Sequence, residues 1–190
     1  SLIFYGDLDI TTITDKPKAR QEVSTSIIPE SKYEDMLYYV EREVRAGKQA
    51  YFVCSKIEDD EEGELISVKE LHEQLSSALP TVRFGLLHGK MKEKEKAEVM
   101  TAFKNGELDC LVSTTVIEVG VDVPNATIMI IYNAERFGLS QLHQLRGRVG
   151  RGSEKSYCFL LMGAETESAK ERLLTLKNNT DGFKIAEKDL

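Results

Sequence analysis

Four short stretches of this chain carry apolar side chains at consecutive rather than alternate positions. They are Ala-Tyr-Phe-Val-Cys at 50–54, Cys-Leu-Val at 110–112, Ile-Met-Ile-Ile at 128–131 and Tyr-Cys-Phe-Leu-Leu at 157–161. Runs this short, bounded by turn residues, suit strands better than helices. A strand apolar on both faces must be covered on both, which is the situation of parallel strands lying under helices. Apolar residues at helical spacing fall between them. Tyr33, Leu37, Val40 and Val44 form one set, with Gly47 as terminator. Val68, Leu71 and Leu75 form a second, after Ser67 and before Pro80. Ala97, Met100 and Phe103 mark a charged helix over 92–103, with Gly106 beyond it, and Leu139, Leu142 and Leu145 mark a fourth. Val23, Thr25 and Ile27 alternate in a further strand ended by Pro29, and 82–87 reads as another. The predicted fold class is α/β, with a mostly parallel central sheet flanked by helices on both faces.

In such sheets ligands sit outside the carboxyl ends of the strands. Ser55 follows one strand, His88 and Gly89 the next, and Ser113, Thr114 and Thr115 a third. The apolar start Leu2-Ile3-Phe4 reads as a strand continuing from an upstream segment, and 7–19 as a polar connector. Residues 57–63 read as an acidic loop. Residues 165–177 read as a polar-faced helix, and Asp181 as the cap of a second one carrying Phe183, Ala186 and Leu190.

The chain has 190 residues, suited to one domain or one with a short appendage, and 41% of them are hydrophobic, enough for a core. No stretch approaches the roughly 18 apolar residues of a membrane-spanning helix, and none looks like a signal peptide. Cys54, Cys110 and Cys158 lie far apart inside apolar runs, as buried thiols of a reducing cytoplasm do. A net charge of −7 argues against wrapping a polyanion non-specifically, though 143–155 is locally basic.

That basic stretch contains Gln141-Leu142-His143-Gln144-Leu145-Arg146-Gly147-Arg148-Val149-Gly150-Arg151-Gly152. Arginine offers a planar, permanently charged fork that fits phosphate oxygens, and glycine lets backbone approach closely. Three arginines alone fit a solvated basic turn equally well. Upstream, 111–122 sets hydroxyls at a strand end, then Gly120 and Asp122. Small hydroxyls there can donate to phosphate, although capping is their commoner use. Thr114 and Asp122 followed by the arginine turn make a more specific pattern.

These segments resemble motifs IV, V and VI of the superfamily 2 helicases. Gln144, Gly147, Arg148, Gly150 and Arg151 match the motif VI form QxxGRxGR in full. QLHQLRGRVGRG and HGKMKEKEK are similar to the RecG family of bacterial fork-reversal helicases and to the related Mfd family. QAYFVCSKIEDDEE, the insertion before Val68 and FYGDLDITTI look more like RecG.

The resemblance implies a RecA-like, P-loop NTPase-type domain followed by a C-terminal helical hairpin. It divides the chain into 1–30, a strand and connector after motif III; 31–163, the second motor domain; and 164–190, the hairpin with its second helix truncated. It implies that Arg148 and Arg151 contact the γ-phosphate of ATP while Gln144 helps to organise the pocket. Gly120 and Asp122 would face the nucleotide, and Ser55, His88, Gly89 and Thr114 would lie on DNA phosphates. Branched DNA and an N-terminal RecA-like domain of the same protein are the implied partners, with ATP and Mg as cofactors and the cytoplasm as location. Arg146 lies off the shared pattern and suits a salt bridge within the domain.

No GxxxxGKS/T loop and no DExH-like acidic motif are present, so this chain alone is not expected to hydrolyse ATP; the phosphate loop and the magnesium site are expected in the N-terminal motor domain. An Mfd-like translocase and a helicase-like binding module without turnover stand as alternatives. The 165–190 segment also fits a plain helical lid. His88 reads as shaping a strand end rather than binding metal, His72 and His143 as helix-face residues, and one of Tyr38 and Tyr39 as packed on the core.

Overall fold

The computed structural model describes residues 23–55, 61–114, 122–150, 152–163 and 166–178. Six strands form one sheet: β1 (Val23–Ile27), β2 (Gln49–Val53), β3 (Phe84–Leu87), β4 (Cys110–Ser113), β5 (Ala126–Ile131) and β6 (Ser156–Leu160). Every pairing is parallel, in the order β1-β6-β5-β2-β4-β3. The helices are α1 (Tyr33–Arg45), α2 (Glu61–Ala78), α3 (Glu93–Lys104), α4 (Leu139–Arg146) and α5 (Glu167–Asn178).

The consecutive apolar runs have the expected cause. Side chains alternate across a strand, so one register of each run faces either side of the sheet. Ala50, Phe52, Val112, Ile128, Ile130 and Phe159 pack with Met36 and Val40 of α1 and Leu71 and Leu75 of α2. Tyr51, Val53, Leu111, Met129, Ile131 and Leu160 pack with Phe103 of α3, Leu142 of α4 and Leu173 of α5. Both layers are buried, and truncating a side chain such as the fully buried Phe52 to alanine costs about 3–5 kcal/mol.

One helix start departs from the sequence reading. The expected helix after Ser67 begins at Glu61, so the 61–63 part of the expected acidic loop is helix, while 57–60 lie outside the described residues. The Ser67 hydroxyl does not cap it but donates to the Gly63 carbonyl, 3.0 Å away, inside the helix. A run of glutamates does not stop a helix, because carboxylates in the first turn are favoured by its dipole. Elsewhere Gly47 at φ 99° and Gly106 at φ 81° follow α1 and α3, as the sequence suggested. Tyr39 is 5% exposed against the core and Tyr38 is 61% exposed. The first helix of the expected hairpin is α5; the second, the apolar start and the connector lie outside the described residues.

Candidate functional site

The predicted residues separate into two groups at opposite edges of the sheet. β3, β4 and β2 are neighbours, with Leu87 and Val53 both in register with Ser113. The amide of Cys54 extends that ladder to the Ser113 carbonyl at 2.9 Å. Ser55, His88, Gly89 and Thr114 therefore emerge side by side at one carboxyl edge. Gly89 is exposed, Ser55 and His88 are half-buried, and Thr114 is covered.

His88 organises a tight turn there. Its Nδ1 accepts the Lys90 amide at 3.2 Å, and its carbonyl accepts the Met91 amide at 3.2 Å. α3 follows, with the Glu95 carboxylate accepting the Lys92 amide at 2.9 Å. Among the described residues, no three His, Cys, Asp or Glu side chains are placed to hold a metal ion. His72 is half-buried beside Phe84, and His143 is half-buried on α4.

The second group lies at the amino edge. Asp122 is exposed just before the turn that opens β5, and α4 delivers Gln144 and Arg148 just before the loop that opens β6. The two loops touch: a Cβ on Gly152 would lie 3.3 Å from the Pro124 carbonyl oxygen. A side chain at 152 would require Pro124 to give by a few tenths of an ångström. Gly150, at φ 81°, occupies the left-handed region that glycine enters without strain. Gly147 sits at φ −70°, ψ −6° as an ordinary helix cap.

The arginines of this turn have different surroundings. Arg146 is 6% exposed, and its Nη1 donates to the Leu176 carbonyl at 2.7 Å and to the Thr25 hydroxyl at 3.3 Å. It is an internal anchor, as the sequence pattern suggested, but these partners are a carbonyl and a hydroxyl rather than a carboxylate. Arg148 is half-buried, and none of the described residues pairs with its guanidinium. Arg151 and Gly120 lie outside the described residues, as does Thr115.

Two polar residues with no motif signal complete this edge. Gln49, 5% exposed, donates from Nε2 to the carbonyls of Phe103 at 2.6 Å and Leu108 at 2.9 Å. Asn125 donates from Nδ2 to the Gly47 carbonyl and to Oε1 of Gln49. Their partners are tens of residues away in sequence, so local spacing could not reveal them.

A donor set of this kind fits one side of a nucleotide. It has an exposed carboxylate suited to ribose hydroxyls and a half-buried guanidinium suited to phosphate, on loops in mutual contact. It lacks a phosphate-cradling loop.

Residues 31–153 match the family model described as the helicase conserved C-terminal domain. The chain is 50% identical over 191 residues to the ATP-dependent DNA helicase RecG of Thermotoga maritima, covering all of this chain and 24% of that protein. A solved structure of RecG bound to a three-way DNA junction superimposes with a TM-score of 0.78 at 49% identity, covering 99% of this chain and 24% of that one. Saccharomyces cerevisiae Dbp5 bound to RNA and ADP BeF3 is similar in fold, with a TM-score of 0.59 at 18% identity over 86% of this chain and 42% of that one. The chain thus spans about a quarter of the length of the RecG proteins it matches. It belongs to the helicase conserved C-terminal domain family, and its similarity to RecG extends over its whole length.

Proposed function

We propose that this chain is the second motor domain of an ATP-dependent DNA helicase of the RecG type, acting on branched DNA in the cytoplasm during fork rescue, recombination and repair. The observation that carries this reading is the placement of the two residue groups at opposite ends of one all-parallel sheet. Strands of four to six residues separate them by roughly 13–20 Å. An N-terminal RecA-like domain would close on the amino edge, where Asp122 and Arg148 lie. DNA would run along the carboxyl edge.

ATP, with magnesium held by the N-terminal motor domain, supplies the γ-phosphoryl group transferred to water. Asp122 orients the ribose. Arg148 and Arg151 offer donor forks where negative charge develops on the phosphoryl oxygens, and Gln144, exposed one turn before Arg148, aligns that side of the pocket. Arginines used this way are worth about a thousandfold or more in rate. Ser55, His88 and Gly89 present the accessible DNA contacts, with Thr114 beneath them. Contacts to phosphate make binding independent of sequence and sensitive to salt.

The test is DNA-stimulated ATP hydrolysis by a protein carrying both motor domains. Arg148→Ala should lower turnover by about a thousandfold, to a rate that is still measurable, and Arg151→Ala should abolish it, while the fold, followed by circular dichroism, is retained. Hydrolysis at the unsubstituted rate by either variant overturns the role given to that arginine.

A further inference from the structure

The polar joint at the amino edge is built from three separate pieces of chain. The segment 47–49 leads from α1 into β2, the turn 122–125 opens β5, and residues 147–150 and 152–155 precede β6. The amide of Gln49 donates to the Asn125 carbonyl at 3.0 Å. The Asn125 side chain returns two bonds, to the Gly47 carbonyl and to Gln49 Oε1. Both of its partners are acceptors, so the Nδ2 orientation is dictated by chemistry. The same holds for Gln49, whose Nε2 is committed to two main-chain carbonyls, leaving Oε1 for Asn125.

Pro124, next to Asn125, is the residue against which Gly152 packs. Lys48, between the two residues that hold Asn125, pairs through Nζ with Glu154 Oε1 at 3.1 Å. The segment 47–49 therefore holds the Asp122 turn directly and the arginine loop at a second point.

Building on the proposed function, we infer that Asn125 is a positioning residue for Arg148, acting through the Pro124–Gly152 contact. Its amide fixes where the β5 entrance turn stands, and that turn limits how closely the arginine loop folds in. A guanidinium displaced by about 1 Å from a developing charge can lose on the order of 100-fold in rate. Asn125→Asp is the informative change. It keeps the shape, removes the donor and sets a carboxylate against two acceptor oxygens.

In the full-length protein, Asn125→Asp should lower kcat for DNA-stimulated ATP hydrolysis by about 10- to 100-fold. KM for ATP should stay within about twofold, because the lost interaction is one made in the transition state. In an Arg148→Ala background the same change should have no further effect on kcat, since it acts through that side chain. A kcat unchanged by Asn125→Asp, with Arg148→Ala strongly impaired, overturns this inference and leaves the proposed function standing. So does a full additional loss in the Arg148→Ala background, which marks a general structural role. Full activity of Arg148→Ala overturns the role given to that arginine under the proposed function, and this inference with it. Should the aspartate variant fail to fold, Asn125→Ala, which removes the donor without adding a charge, carries the same comparison.

Discussion

The guanidinium of Arg146 donates to the carbonyl oxygen of Leu176 across 2.7 Å, so the last residue of α4 is bonded into the last turn of α5. A second bond to the Thr25 hydroxyl brings the edge strand β1 into the same contact. Two residues further on, Arg148 has no such partner among the described residues. One guanidinium holds three elements together while its neighbour is left to meet something else.

Replacing Arg146 by alanine should therefore destabilise the domain by about 2–3 kcal/mol, the scale of hydrogen bonds to a charged donor. Arg146→Met should cost less, because methionine fills the volume that alanine would leave empty while also removing the buried charge. Urea midpoints measure the cost, and faster amide exchange in α5 locates it. Unchanged exchange there would contradict the anchoring role.

The two motif glycines should respond differently to alanine. Gly150→Ala places a Cβ at φ 81° and should cost about 1–2 kcal/mol. Gly147→Ala meets only ordinary contacts, with Gln144 O at 3.4 Å and His143 O at 3.5 Å, and should change stability by no more than about 0.5 kcal/mol. Thermal or urea denaturation of the two variants compares them directly.

Asp109 makes part of the stability depend on acid. Burial works to raise its carboxyl, but hydrogen bonds from the Arg83 guanidinium and amide, with the guanidinium charge, hold it below the usual carboxylate range. A carboxyl lowered in the folded state adds stability that is fully present above its unfolded pKa, near 3.8, and is lost as pH falls through the folded value. Asp109→Asn should flatten the pH dependence of the urea midpoint below about pH 4. An unchanged slope in that range would remove Asp109 from the account.

The thiols should be silent in the folded protein. Burial pushes Cys158 up to about 12 against the opposing pull of Arg146, and it raises Cys110 further. All three cysteines are buried. A thiol reagent at pH 8 should label the native chain at the rate of its opening and label all three at once in denaturant. Rapid native labelling of Cys110 or Cys158 would contradict the packing of the sheet.

Much of this was legible from residue order. Runs such as Ala50–Cys54 and Ile128–Ile131 announced strands covered on both sides, because a position-by-position apolar pattern has no other economical burial. The strand ends then located Ser55, His88 and Thr114, and QxxGRxGR located Arg148. The start of α2 was misread, because Ser67 looks like a cap when judged without the helical turn that precedes it.

What residue order alone decided is local: which segments are strand or helix, which side chains must be buried, and where the short arginine motif falls. What only the folded chain decided is long-range. The strand order β1-β6-β5-β2-β4-β3, the facing of Ser55 and Asp122 toward opposite edges, and the bonds joining Gln49 to Asn125 and Arg146 to Leu176 were set by tertiary packing. The physical reason is that periodicity reports burial, whereas a buried amide or guanidinium is settled by whichever carbonyl the rest of the chain brings within hydrogen-bond reach.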